Sequence, residues 1–294
     1  LIYRRGEEKF LVVVNASNDD KDWTWLNAVK NGQVLIDRER PWALAYGRKV
    51  NLRNLRDPKS GADMRVDIAL QGPKSREILL ALGVDAGTRR RIMALKRTEL
   101  CDAVVGGFDL VVSRTGYTGE KMAFELFVHP DRAADFCAAL IQAGEPLGMK
   151  PCGLGARDSL RTEAGLPLYG HEMGGEMGLG VAEAGFGAYV KVYKPWFIGR
   201  KAFITREEKR KGVVVRFRFL DKGVRMAHNQ DPVLDKRGRV VGLVTSCAVD
   251  KEGFLTGQAY VDLKVAEEGN PIWIYQGAPK EPGRAPAELK VGDR

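Results

Sequence analysis

Histidine is scarce in this 294-residue chain, with 3 in all, and cysteine is sparse, with 4. Cys101, Cys137, Cys152 and Cys247 lie far apart and no C-x-x-C occurs. That spacing argues against a zinc knuckle and against a dense disulfide framework, and it suits reduced thiols in a cytoplasm. His171 opens "HEMGGE" but has no second histidine at H-E-x-x-H spacing, and His129 and His228 sit in unrelated runs, so no metal site is expected. No apolar run approaches the roughly 18 to 20 residues of a membrane span, and no charged-then-apolar leader opens the chain, so neither a span nor a signal peptide is expected. No GxxxxGK[ST] phosphate loop is present, and "GLGARD" at Gly153 lacks the third glycine of a dinucleotide fingerprint and follows Pro151 rather than a strand.

What is present is ordinary for a globular protein: 44% hydrophobic and 29% charged residues, enough chain for two or three cores. Lys plus Arg number 47 against 38 acids, a net charge of +9 that favours anionic partners. The densest basic stretch, "TRRRIMALKR" from Thr88, interleaves Ile92, Met93 and Leu95 and reads as a helix with one wet face. Without an aromatic platform it does not point to nucleic acid.

Along the chain, Leu1 to Tyr3 and Phe10 to Val14 read as strands around a polar turn, and "DDKDWTWLNAV" turns helical, with Asp19 and Asp20 at its start and Trp23, Leu26 and Val29 at helical spacing. "RVDIALQGP" reads as a strand before the helix "SREILLAL"; "GGFDLVVSR" and the segment around Glu125 read as strands before the helix "RAADFCAALIQAG". After the mixed-charge connecting segment Arg200 to Lys211, short strands between turns announce a small β domain from near Gly212. Cys247 reads as a small core residue of one of these strands. The tail from Gln276, "QGAPKEPGRAPAELKVGDR", is poor in apolar residues and is expected to be extended or poorly ordered. The whole pattern implies α+β or α/β layers rather than an all-helical bundle.

Two segments carry candidate chemistry. In "SRTGYTGEKMAFELFV", Phe124, Leu126 and Val128 alternate with Glu125 and Phe127, so Glu125 shares a strand face with Phe127. Either that face is solvated, or the carboxylate meets the paired N–H donors of a flat ligand covered by aromatics. Gly116-Tyr117-Thr118-Gly119 just before it is a turn signal, with two glycines free to take positive φ, that brings Tyr117 near the strand. In "PCGLGARDSLRTEAGLPLYGHEM", the helix places Arg157, Leu160, Arg161 and Ala164 on one stripe, with Gly165 as its stop. The arginines serve either an internal ion pair, such as Arg161 with Asp158, or the two-pronged capture of a ligand carboxylate, and Tyr169 either closes such a cleft or joins the core.

"LVVVNASNDDKDW", "IALQGPKS", "SRTGYTGE", "GLGARDSLRTEAGLPLYGHEM", "PWFIGRKAF" and "GLVTSC", in this order, closely resemble the aminomethyltransferase (T-protein) family of the glycine cleavage system. The resemblance implies a three-domain, cloverleaf-like α+β fold with a small C-terminal β-barrel-like domain: a folate-binding domain 1 over 45–168, a domain 2 over 1–44 and 169–206, and a C-terminal β domain over 207–294. It implies transfer of the one-carbon unit of an aminomethyl group from the lipoyl arm of H-protein to tetrahydrofolate, with release of ammonia, in the cytoplasm and without nucleic acid, metal or membrane. By the same resemblance the acidic residue after the Gly-Tyr-Thr-Gly turn contacts the pterin; Glu125 matches by strand register and Glu120 is the other choice. Arg157 matches the arginine expected at the ligand's charged tail, and Tyr117, Asn15 and Tyr169 are lining candidates.

The chain also departs from the family. The catalytic aspartate of the family's Asp-Asp-Leu motif would immediately precede Leu1, so no catalytic residue is assigned, and the first two domains are expected to lack their amino-terminal parts, leaving this stretch alone weak in folate binding. Glu267 stands near where some members carry a carboxy-domain arginine, and "TSCAVDKEGFLTG" replaces Thr-Ser-Gly-x-x-Ser-Pro. A tetrahydrofolate-dependent demethylase for a small methyl donor and a non-catalytic folate-binding protein are the other readings. "KPWFIGRKAF" lacks the cysteine of the Lys-Gly-Cys-aromatic-x-Gly-Gln motif of the iron-sulfur-linked relatives.

Overall fold

A computed structural model describes residues 1–44 and 50–276. The expected tail from Gln276 lies, apart from that residue, outside them. Contacts group the chain into two units, Leu1–Cys152 and Gly153–Arg294.

In the first unit, β1 (Ile2–Arg4) and β2 (Phe10–Val12) form an antiparallel hairpin with Tyr3 opposite Leu11. Helix α1 (Asp19–Lys30) carries Asp19, Asp20 and Asp22 in its first turn and Lys30 in its last, the charge order its dipole favours. None of its residues is buried, so the apolar spacing of Trp23, Leu26 and Val29 formed a helix without forming a core face. Next come β3 (Val66–Gln71), α2 (Ser75–Ala81), α3 (Ala86–Ala94), β4 (Leu100–Val105), β5 (Phe108–Ser113), β6 (Ala123–Val128) and α4 (Pro130–Gly144). The four strands make one antiparallel sheet in the order β3-β6-β5-β4.

One face of that sheet, with Leu70, Val112, Phe124 and Leu126, meets Ile78 and Leu79 of α2, Ile92 of α3 and Phe136 and Leu140 of α4 in a single core. The basic helix is wet on one side as expected, and it starts two residues earlier than Thr88 because the Asp85 carboxylate caps it, accepting from the N–H groups of Gly87 (2.7 Å) and Thr88 (3.0 Å). Strand β4 was not foreseen. Its inward residues Cys101, Ala103 and Val105 are small, so the alternation is faint, and it is the Gly106-Gly107 turn, both residues at positive φ, that returns it against β5.

The second unit begins with α5 (Leu154–Glu163), ended as expected by Gly165 at φ +70°. It continues through α6 (Arg200–Glu208) to β7 (Gly212–Lys222), β8 (Pro232–Leu234), β9 (Val240–Val249), β10 (Phe254–Asp262) and β11 (Trp273–Ile274). These five form an antiparallel sheet in the order β11-β8-β9-β10-β7 around Phe217, Val233, Val244, Ala259 and Val261. The β part thus starts at Gly212, where the sequence placed it; β11 was not foreseen. Both large sheets are wholly antiparallel with helices set apart from them, which makes the fold α+β. The division into 45–168, 1–44 with 169–206, and 207–294 stands as a proposal beside the two-unit grouping. Its first boundary falls at residues 45–49, outside the described ones.

Candidate functional site

The first unit's sheet has a second face, and it is polar. Register places Ser113 and Ala69 on either side of Glu125, with Asp67 and Val111 flanking Phe127 one pair further along. Phe127 is only 5% exposed, Ser113 is buried and Glu125 is half-buried, whereas Asp67 and Ala69 on β3 are exposed, so the face is covered around β5 and β6 and solvated at β3.

Three hydroxyls join the carboxylate. Tyr3, buried on β1, brings its phenol to 2.7 Å from Ser113 Oγ and 3.2 Å from Thr115 Oγ1, and Ser113 and Thr115 lie 3.1 Å apart. Thr115 donates its hydroxyl proton to Glu125 Oε2. A hydroxyl has one proton, so Thr115 is the acceptor toward its other two neighbours. Burial pushes the Tyr3 phenol pKa up, the hydrogen bonds of Ser113 and Thr115 oppose that, and the charges of Glu125 and Asp67 add to it. Among the described residues no Lys or Arg pairs with Glu125 and none donates to its Oε1. One oxygen is therefore fixed and the other is available to a donor.

Asp67 shares this face. Burial first, then the Glu125 charge, push its carboxyl up to about 7, against a backbone N–H from Leu126 that acts the other way. The residue as a whole is nevertheless exposed, so water tempers both causes.

The Gly-Tyr-Thr-Gly turn is stitched to β3 by Gln71, whose Oε1 accepts from Tyr117 N (3.0 Å) and Thr118 Oγ1 (2.8 Å). This joins two motifs that are 46 residues apart. The expectation for the glycines needs correction. Gly119 has positive φ (+79°), but Gly116 does not and is required by space, since a Cβ there would stand 2.4 Å from Ala123 Cβ and 2.7 Å from Gln71 Oε1. Glu120 is exposed in the turn and accepts from Lys121 N at 2.8 Å. Asn15 is exposed just before a short helical turn; its carbonyl accepts from Asn18 N at 3.0 Å.

In the second unit the two arginines of α5 part company. Arg157 is exposed, whereas Arg161 is fully buried, so the single stripe does not face a single environment. Arg161 takes the ion-pair alternative. Its Nε donates to Asp158 Oδ1 (2.7 Å), Nη1 to Glu172 Oε2 (2.8 Å) and Nη2 to Ser246 Oγ (2.7 Å). Ser246 in turn donates to Glu172 Oε1 (2.6 Å), and Leu168 N to Glu172 Oε2 (2.9 Å). "ARDSLR", "HEM" and "VTSC" therefore meet in one buried network. Tyr169 is partly exposed and its ring lies over the Gly174 backbone, where a Cβ would stand 2.7 Å from it.

All four cysteines are free, and Cys247 packs partly buried beside the second core, its thiol pKa pushed up by burial. Among the described residues no group of three or more His, Cys, Asp or Glu is placed to hold a metal ion, and no helix is long and apolar enough to cross a membrane.

Of the residues around Glu125, sequence reasoning missed Tyr3, Ser113, Thr115, Asp67 and Gln71, and in the other unit Glu172 and Ser246. A signal existed for Ser113 and Asp67, which fall on the same period-two face of neighbouring strands. None existed for Tyr3, 110 residues from Ser113.

A sheet whose core face carries helices and whose other face holds, among the described residues, a carboxylate without a cation defines an α+β protein with a candidate ligand site. Residues 1–194 match the family described as the GCVT N-terminal domain. The chain is 37% identical over 279 residues to an aminomethyltransferase of Alkaliphilus oremlandii and 36% identical over 283 residues to one of Thermoanaerobacter pseudethanolicus, in each case over 93% of this chain and 67% of the relative. It shares the fold of the glycine cleavage system aminomethyltransferase T from Bartonella henselae, with a TM-score of 0.70 at 24% identity over 93% of this chain and 66% of that one. The chain belongs to the aminomethyltransferase family of the glycine cleavage system, whose members are folate-dependent transferases. It spans about two thirds of the length of the relatives it matches.

Proposed function

We propose that this chain takes part in aminomethyl transfer, in which the one-carbon unit of an aminomethyl group on the lipoyl arm of H-protein passes to tetrahydrofolate. Ammonia leaves and 5,10-methylenetetrahydrofolate forms. The observation that carries the reading is Glu125, a half-buried carboxylate that among the described residues has no cation beside it, one oxygen held by Thr115 and the other open. A pair of ring N–H donors on a flat, partly apolar ligand matches that arrangement, because it supplies what the carboxylate lacks without requiring full ionic neutralisation. The family's use of folate fits the same chemistry.

Tetrahydrofolate supplies the nitrogens that accept the one-carbon unit. The chain's own part is to bind and orient: Glu125 holds the pterin edge, and the Gln71-braced turn presents Tyr117 close by. Glu125 is favoured over Glu120, which is exposed and turned to its own loop. Arg157, exposed on α5, is proposed to meet the ligand's anionic tail, with Asn15 and Tyr169 as lining residues. Such a protein works in the cytoplasm. Neither the demethylase nor the non-catalytic binder is favoured, because the matching relatives carry the aminomethyltransferase name.

Calorimetric titration of the full-length gene product with tetrahydrofolate, then ammonia release after addition of aminomethyl-loaded H-protein, tests the proposal. Binding that weakens in Glu125→Gln but not in Glu120→Gln supports the site. Equal affinity in wild type and Glu125→Gln rejects it, and binding without ammonia release rejects the reaction.

A further inference from the structure

On the other side of the first unit's sheet, away from Glu125, a cavity of about 510 Å³ opens between α2 and α3. Leu80, Met93 and Met122 give it apolar walls, and Arg76, Glu77 and Arg89 give it charge. Arg76 is the unusual member. Its Nε is buried and reaches no acceptor, and the Nε of neighbouring Arg114 is in the same position. Arg114 spends Nη1 on the carbonyl of Leu95 at 2.8 Å. Among the described residues neither Arg76 nor Arg89 has a carboxylate partner. Burial and then the like charge of Arg114 draw the Arg76 pKa below its ordinary value, as expected of a cation without a counter-ion.

Two guanidiniums that share the cavity with a single acid, Glu77, and pair with no carboxylate among the described residues, one of them with a buried donor left unmet, leave room for a further anion. Two further features narrow its kind. The apolar walls reward a hydrocarbon body, and the Glu77 carboxylate in the lining disfavours a doubly charged group. We propose that this cavity binds a small monocarboxylate with an apolar body, its carboxylate gripped by Arg76 and Arg89 and its chain lying against Leu80, Met93 and Met122. Arg rather than Lys suits the task because the planar fork matches both carboxylate oxygens. The site is separate from the folate face and independent of the reaction proposed for it.

Calorimetry of the full chain with hexanoate, and separately with inorganic phosphate, tests this. One hexanoate per chain is expected, with phosphate at least about tenfold weaker. Arg76→Gln is expected to weaken hexanoate about tenfold or more, the loss of one charge-assisted contact. Because Arg76 is partly buried, Arg89→Ala at an exposed position serves as the second variant, with a loss of about threefold at the loosely held prong. No saturable hexanoate binding, phosphate binding as tight as hexanoate, or hexanoate affinity unchanged in Arg89→Ala would each overturn the proposal.

Discussion

Glu125 in the first unit and Glu172 in the second are both withdrawn from water and both hydrogen-bonded to a hydroxyl, yet they are built for different ends. Glu172 is 0% exposed, and both its oxygens are occupied: Arg161 and Leu168 N on one, Ser246 on the other. Glu125 is half-buried, has one oxygen on Thr115, and meets no cation among the described residues. A saturated, neutralised carboxylate ties segments together, here α5 and the residues after it to β9. An unsaturated one keeps acceptor capacity for something that comes from outside. The contrast warns against reading function from burial or motif alone, since Arg161 sits in the same "ARDSLR" motif as Arg157 and is wholly committed inside the protein.

The comparison breaks most severely at Arg161. Arg161→Met should cost about 3–5 kcal/mol of stability, since it strands Glu172 as an uncompensated buried charge. Adding Glu172→Gln should restore a good part of that loss, and urea unfolding of the single and double variants measures it; a double variant no better than the single would show that packing, not charge, dominates. Glu125→Gln should behave oppositely. Stability should change by less than about 1 kcal/mol, while tetrahydrofolate affinity falls roughly 10- to 100-fold for loss of a charge-assisted contact. Thr115→Val, which frees the second Glu125 oxygen and removes one buried hydroxyl, should cost about 1 kcal/mol in thermal or denaturant unfolding.

The last effect concerns Asp67 and is one of pH. Its folded pKa, about 7, stands above its ordinary 3.8, so the unfolded chain ionises first as pH rises. Wild type should therefore lose stability progressively between about pH 4 and 7 relative to Asp67→Asn, and the two should converge below pH 4. Parallel stability curves for the two proteins across that range would contradict the shift.

Much of this architecture was legible from one sequence. The hairpin at residues 1–12, the strand carrying Glu125, the helix ended by Gly165 and the β region from Gly212 all follow from local periodicity and turn chemistry, which act over a few residues and leave a mark in each stretch. The fold family was legible from six short motifs in a fixed order. Strand β4 escaped because Cys101 and Ala103 make a weak apolar signal, and only pairing with β5 through the Gly106-Gly107 turn defines it.

By itself, then, the sequence determined most of the elements (though not β4 or β11), the α+β class, the family and the strand face on which Glu125 lies. Only the tertiary structure decided that this face is covered around β5 and β6, that Tyr3 reaches Ser113 and Thr115 to hold Glu125, and that Gly116 is needed for close packing rather than for its φ. Only the structure, too, sent Arg161 inward to Glu172 and left Arg157 in water. The reason is physical: periodicity sets which side chains share a face, but the environment of a face depends on segments far away in the chain, and no local pattern encodes which of them will pack there.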